Sequence, residues 1–462
     1  MELNFYKDID TSFSLFEKEC SLKQMEHPFD LLALEYPEHN EEKDDCAPIE
    51  IYERFICAFR RKNLYDVYDE LDSLMDYTFY NEIIDQQELA DSGLLDALYE
   101  LATVKDNETL SMKAFSVLIN ISSLSKNLID PLNTRDFFEF LVSFLQNDPN
   151  NSAIPLAVSC LRNFCAASVT NRDIVIQVYP VVRIEAMFRD YEIEGLGEEL
   201  LNLLLAYSRY DMELSHIESA IKFIFSIIRG SNLDHIGIAL WTLIYIMKNN
   251  GETEGRIYSE HFITRIFKFL DADEQNILIP SILIMSKFSE IPFVTNNAPY
   301  GEIIPNLNHE SVSVSKTVLS FLRHAFIKNR DIESKLISNK LLLNISELLN
   351  GDYEIQAKIL AGNFLVFLLN QGSQEFLDRV IITGAISMVI ELFDLEDDEL
   401  TFSTLCGIEC LFIASDNSET SELFLSSFEE NGGINALEQY VDCENERISE
   451  KAMCILNEFV EK

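Results

Sequence analysis

Two stretches decide how this chain is read: KAFSVLINIS (113–122) and LAVSCLRNFC (156–165). In the first, Ala114, Val117, Leu118 and Ile121 fall at i, i+3, i+4 and i+7, the spacing that lays one apolar stripe along a helix. Asn120 stands two places after Leu118, off that stripe, and Ser116 lies one turn earlier on the same side. The second stretch repeats the arrangement with Asn163 and Ser159, 43 residues further on. Asparagine is an indifferent helix former because its amide competes for backbone hydrogen bonds, so its return at this place asks for a reason.

The same pattern runs along the chain. ALWTLIYIMK (239–248) places Tyr245 after Trp241, and SILIMSKFSE (281–290) places Lys287 after Leu283. SFLRHAFIKN (320–329) places His324 after Ser320, and GIECLFIAS (407–415) ends the series at Cys410. GLGEELLNLLLAYS (195–208) and ILAGNFLVFLLN (359–370) fill the two longer gaps. Leu240, Leu243, Ile244 and Met247 form a second clear stripe. An interval near 42 fits armadillo or HEAT units of about 40–47 residues. One such helix cannot bury its stripe alone, so neighbours must stack. The expected fold is all-α: a right-handed superhelical armadillo/HEAT-like solenoid of about nine to ten repeats over residues 51–462. The marked residues would line its concave face, and residues 1–50 would form a separate acidic segment. Glycines in DSGLLDALYEL (Gly93), ITGAISMVIELF (Gly384) and ENGGINALEQY (Gly432, Gly433) would supply the sharp turns between helices.

The totals agree with helices. The 462 residues hold only 15 Gly and 11 Pro, and 47% are apolar, so the chain has the means to fold. Lys and Arg number 35 against 78 Asp and Glu, a formal net charge of −43. That balance argues against nucleic acid or an anionic membrane as a partner and favours a basic protein or peptide. Nine cysteines show no CxxC pair; Cys160, Cys165, Cys406 and Cys410 lie in apolar helical text and read as small buried hydrophobes. The seven histidines form no HExxH, and GxSxG, GxxxxGK[ST] and GxGxxG are absent, so neither an enzyme, a metal nor a cofactor is expected. MELNFYKDID has no leader character, and no uncharged run reaches the roughly 18 residues of a membrane span.

At the C-terminus, ENGGINALEQYVDCENERISEKAMCILNEFVEK (430–462) resembles the final armadillo repeat of importin alpha, with its glycine-pair turn, acidic helix and closing aromatic helix. SDNSETSELFLSSFEENGG (415–433) is similar to the connection before it. NRDIVIQVYPVVRIEAMF (171–188), ALWTLIYIMKNNG (239–251) and Pro280 in ILIPSIL are similar to middle repeats of that family. The resemblance implies a nuclear-import adaptor, found in cytoplasm and nucleus, that holds a lysine-rich signal along its concave face. In that reading Asn amides clamp the peptide backbone, while Trp rings one turn earlier wall off slots for lysine stems.

This chain departs from the family pattern at most of those positions. Asn120 and Asn163 keep the ladder, but Ser116 and Ser159 replace the Trp partners, and Ala167 stands where the family has a lysine-binding carboxylate. Lys287 and His324 replace Asn, Ser320 replaces Trp, and only Trp241 with Tyr245 reproduces a full pair. The candidate peptide-binding residues are therefore Asn120, Asn163, Ser116, Ser159, Trp241 and Tyr245. Docking on importin beta lacks its usual basic segment, since residues 1–50 hold four lysines, no arginine and fourteen acids. Three readings stay open: a divergent import adaptor, a scaffold derived from it that binds another partner, and an armadillo or HEAT protein of another kind.

Overall fold

The computed structural model describes residues 48–80, 92–104, 107–124, 134–147, 153–190, 193, 195–251, 253–416 and 420–460. Every regular element among them is helical. The acidic segment expected at residues 1–50 lies outside the described residues, except for the start of the helix Pro48–Arg61.

The described residues fall into two compact units, one ending at Ile257 and the other beginning at Tyr258. Each is organised around five long helices that pack on one another in chain order. In the first unit these are α1 (Leu64–Tyr80), α2 (Glu108–Leu124), α3 (Ala153–Ala167), α4 (Leu196–Ser208) and α5 (Leu233–Asn249). In the second they are α6 (Gln275–Lys287), α7 (Val312–Lys328), α8 (Ile355–Gln371), α9 (Asp398–Ser415) and α10 (Glu446–Ile455). From residue 169 onward most repeats have two shorter helices before the long one, as in Gln374–Ile382 and Ile386–Glu391 before α9. This is the three-helix armadillo plan, and the chain is an all-α repeat solenoid.

Burial explains the stacking. Ala114, Val117, Leu118 and Ile121 are buried to within 1% of full burial, and Leu240, Leu243 and Ile244 to within 2%. Each large aliphatic side chain removed from water contributes about 1.5–3 kcal/mol, and only the neighbouring repeat can cover it.

The repeat length is also written in the hydrogen bonds. Arg330 donates to the carbonyl of Gln371, 41 residues away, at 2.7 Å. Gln374 donates to the carbonyl of Ala414, 40 residues away, at 2.9 Å, and Asn249 reaches the carbonyl of Ser208, 41 residues back, at 2.9 Å. These long polar side chains satisfy backbone groups at helix ends that have no partner within their own helix.

Two glycine positions show why the turns need that residue. Gly432 has φ 78°, in the left-handed region that a side chain strains to enter. Its neighbour Gly433 begins the helix Gly433–Val441, and a Cβ there would meet the ring of Phe428 at 2.5 Å. Gly93 and Gly384 repeat the left-handed turn with φ 74° and 72°. Lys340 adopts it without being glycine, with φ 61°, before the helix Leu341–Asn350.

Phe412 anchors the C-terminal repeats, with ring centroids 4.9 Å from Phe424, 5.3 Å from Phe428 and 5.2 Å from Phe459. Phe412→Ala is expected to cost about 3–5 kcal/mol. Because each repeat touches only its neighbours, hydrogen exchange should quicken in Ser421–Glu430 and α10 and stay unchanged in α1–α5. Uniform destabilisation of both units would contradict the one-dimensional account.

Candidate functional site

The series of marked residues forms a ladder, with a rung marked on eight of the ten stacked helices, all but α4 and α10. In the first unit Thr78 precedes Asn120, Asn163 and Tyr245; in the second Lys287, His324, Phe367 and Cys410 follow in turn. Asn120 is half-buried, and its Nδ2 donates to Thr78 Oγ1 at 3.2 Å, joining two rungs 42 residues apart. Thr78 in turn donates to the carbonyl of Leu74 at 2.8 Å. Ser116 is buried and donates to the carbonyl of Met112 in its own helix at 3.1 Å, so it presents no slot wall.

Asn163 is also half-buried, and its Oδ1 accepts from Arg162 Nε at 3.3 Å. Its companion Ser159 donates to Glu199 Oε2 on α4 at 2.7 Å, and Arg162 Nη1 reaches the same carboxylate at 3.1 Å. Both members of that ion pair are largely buried, with side chains 13% and 16% exposed. Sequence reasoning missed Glu199; the available signal was its place one repeat, 40 residues, after Ser159. The neighbouring repeat thus supplies a carboxylate beside Ser159, already engaged by a cation and a hydroxyl.

Trp241 and Tyr245 were expected as the one complete pair on an open face. The structure buries both, to 1% and 7% exposure, on α5. The helix is apolar all round, with Ile236 through Met247 buried without a break, so sequence periodicity on it does not separate ladder side from core side.

Three consecutive stacked helices of the second unit stand out in charge. Helices α6, α7 and α8, of 13, 17 and 17 residues, contain no Asp or Glu. At the chain's average of 78 acids in 462 residues, about eight would fall there. They carry Lys287, Lys316, Arg323, Lys328 and Lys358, with His324. Lys287 and His324 are rungs; Lys328 lies one turn beyond His324 on the same side. Arg323 is exposed and places its guanidinium 4.9 Å from the ring of Phe367, the next rung. Lys328 bonds Glu290, which follows α6, and holds that carboxyl below its ordinary range. His324 Nδ1 lies 2.7 Å from the carbonyl of Ser320. The acids return in α9 and α10, where Glu409 pairs with Lys451 at 2.5 Å.

Cys160 and Cys165 are fully buried, as the apolar text predicts, whereas Cys406 and Cys410 are half-buried beside the ladder. Cys410 donates to Asn370 Oδ1 at 3.6 Å. Among the described residues no group of three His, Cys, Asp or Glu side chains could hold a metal ion. No described helix is long and apolar enough to cross a membrane.

No protein-family model matches the chain, and no curated protein matches it. Solved structures do. A crystal structure of an engineered protein from the Northeast Structural Genomics Consortium superimposes with a TM-score of 0.65 at 12% identity, covering 88% of this chain and 98% of that one. Computationally designed armadillo repeat proteins for modular peptide recognition give 0.44 at 15% identity over 51% of this chain and 98% of theirs. A second engineered protein from the same consortium gives 0.44 at 16% identity, over 50% and 98%. At 12% identity the first likeness is one of fold alone, and the two at 0.44 are too loose to bear on the chain. None of them assigns it to the importin alpha family.

Burial sets a chemical test of the core beneath the ladder. It pushes the Cys160 thiol up to about 12 and raises Cys165 as well, against the nearby Arg162 and Arg172 charges that lower them. Both are therefore protonated at pH 8, and thiolate is the form that alkylates. Iodoacetamide at pH 8 should modify the exposed Cys57 and Cys454 and leave Cys160 and Cys165 untouched until the protein is denatured. Peptide mass mapping reads the result, and early modification of Cys160 would contradict the packing described.

Proposed function

We propose that this protein is a binding scaffold, not an enzyme, that holds a peptide segment of a partner protein along its stacked helices. The observation that carries this is a recurrence: Asn120, Asn163, Lys287 and His324, all half-buried, stand at matching places on long helices whose apolar stripes are packed core. An extended peptide rises about 3.3 Å per residue, so a few residues of peptide span the 8–10 Å between packed helices. Regular rungs can therefore meet a peptide at a regular interval, through amides that both donate and accept.

The finer reading, an import adaptor of cytoplasm and nucleus that carries basic signals, draws on the importin alpha resemblance at 430–462 and on Asn120 and Asn163. Charge and burial oppose it at several rungs. Trp241 is buried, Glu199 is already paired, and the rungs on α6 and α7 are Lys287 and His324. A lysine-rich peptide laid over Lys287 would meet like charge. The scaffold with a partner of different chemistry is the reading we favour.

A direct trial titrates the full chain with a lysine-rich localisation peptide and with a glutamate-rich peptide of equal length, beside an Asn120→Ala, Asn163→Ala double variant. The scaffold reading expects micromolar binding of at least one peptide. The import-adaptor reading expects the lysine-rich one, weakened about tenfold or more in the double variant. If neither peptide binds, the scaffold reading is wrong.

A further inference from the structure

We infer that α6, α7 and α8 form a docking face for an acidic peptide segment of a partner protein; this rests on the scaffold reading and names the chemistry of one of its sites. The first support is the exclusion of acids from three consecutive stacked helices in a chain of net charge −43. Helix formation does not demand it, because Glu is a better helix former than Asn or Ser. The polar positions of these helices hold Asn276, Ser320, Gln356, Asn363 and Asn370, all neutral; in the first unit α3 alone among the stacked helices is likewise free of acids.

The second support is placement. Lys287 and His324 are successive rungs, and Arg323 flanks the second; Lys328, one turn on, is already held by Glu290. Arg323 stacks on Phe367, the following rung, and among the described residues no carboxylate pairs with it. Its planar fork is thus held on a ring, in the geometry that takes a carboxylate through two parallel bonds. The ring edge of Phe367 beside it suits an apolar or aromatic residue between the acids. The patch is bounded, since α9 begins with Asp398 and Glu399.

Charge complementarity selects the occupant. A nucleic-acid strand carries a phosphate at every step, and its length beyond the patch would lie against a strongly acidic surface. A peptide can space its carboxylates to match a few cations and stay neutral elsewhere. At physiological ionic strength the screening length is about 8 Å, so the local patch governs short-range docking while the distant acids are damped.

The test is fluorescence anisotropy of the full chain with a labelled peptide of Glu and Asp interspersed with Leu and Tyr. Its Gln/Asn analogue, and a single-stranded oligonucleotide as competitor, complete the set. The acidic peptide should bind with a micromolar Kd, and the neutral analogue at least about tenfold more weakly. The Lys287→Gln, Arg323→Gln double variant should lose about tenfold, and so should Asn363→Glu, which adds a charge without removing packing. Lys358→Gln, near the far end of α8 from the ladder residue Phe367, should change little. If circular dichroism shows the double variant unfolded, Asn363→Glu decides alone. Binding of the acidic peptide that ignores these changes overturns the assignment and leaves the scaffold reading standing. Equal binding of the neutral analogue, or tighter binding of the oligonucleotide, also overturns it. Failure of acidic and lysine-rich peptides alike removes the scaffold reading itself.

Discussion

Burial of one helix's apolar stripe against the same stripe of the next repeat is the interaction on which the rest depends. It fixes the order of packing, α1 through α5 in one unit and α6 through α10 in the other. On α2, α3, α7 and α8 it also leaves half-buried polar residues that the stripe does not use, whereas α5 is buried on every side from Ile236 to Met247. Whatever the chain recognises, such residues recur at the repeat interval because the stripe does.

Polar contacts then tune the stack rather than create it. The bond between Asn120 and Thr78, the shared carboxylate of Glu199 and the reach of Arg330 to Gln371 each join neighbouring repeats. Individually such bonds contribute about 0.5–1.5 kcal/mol, less than one buried aliphatic side chain. Their consequence is specificity of register. A rung spent on its neighbour, as Ser159 is on Glu199, offers less to a ligand than its residue type suggests.

Much of the fold was legible in the sequence, because helical stripes and an interval near 42 are properties of residue order alone. Gly93, Gly384 and Gly432 were legible as turns for the same reason. The site was less legible. Trp241 reads as a groove wall from its resemblance, yet α5 is apolar on all sides and takes it into the core. Glu199 lies a whole repeat from the hydroxyl it binds, so no local motif announces it. The charge inversion was hidden by the totals. A net charge of −43 suggests an acidic surface throughout and a basic partner, and only the placement of α6, α7 and α8 side by side shows where acids have been left out.

The central claim is that the ladder side of the stacked helices, not the shorter outer helices, receives the partner. Hydrogen–deuterium exchange of the full chain with and without saturating acidic peptide tests it most directly. The account predicts slower exchange concentrated in α6, α7 and α8. Protection confined to the helices Leu341–Asn350 and Gln374–Ile382, with the stacked helices unchanged, would contradict it.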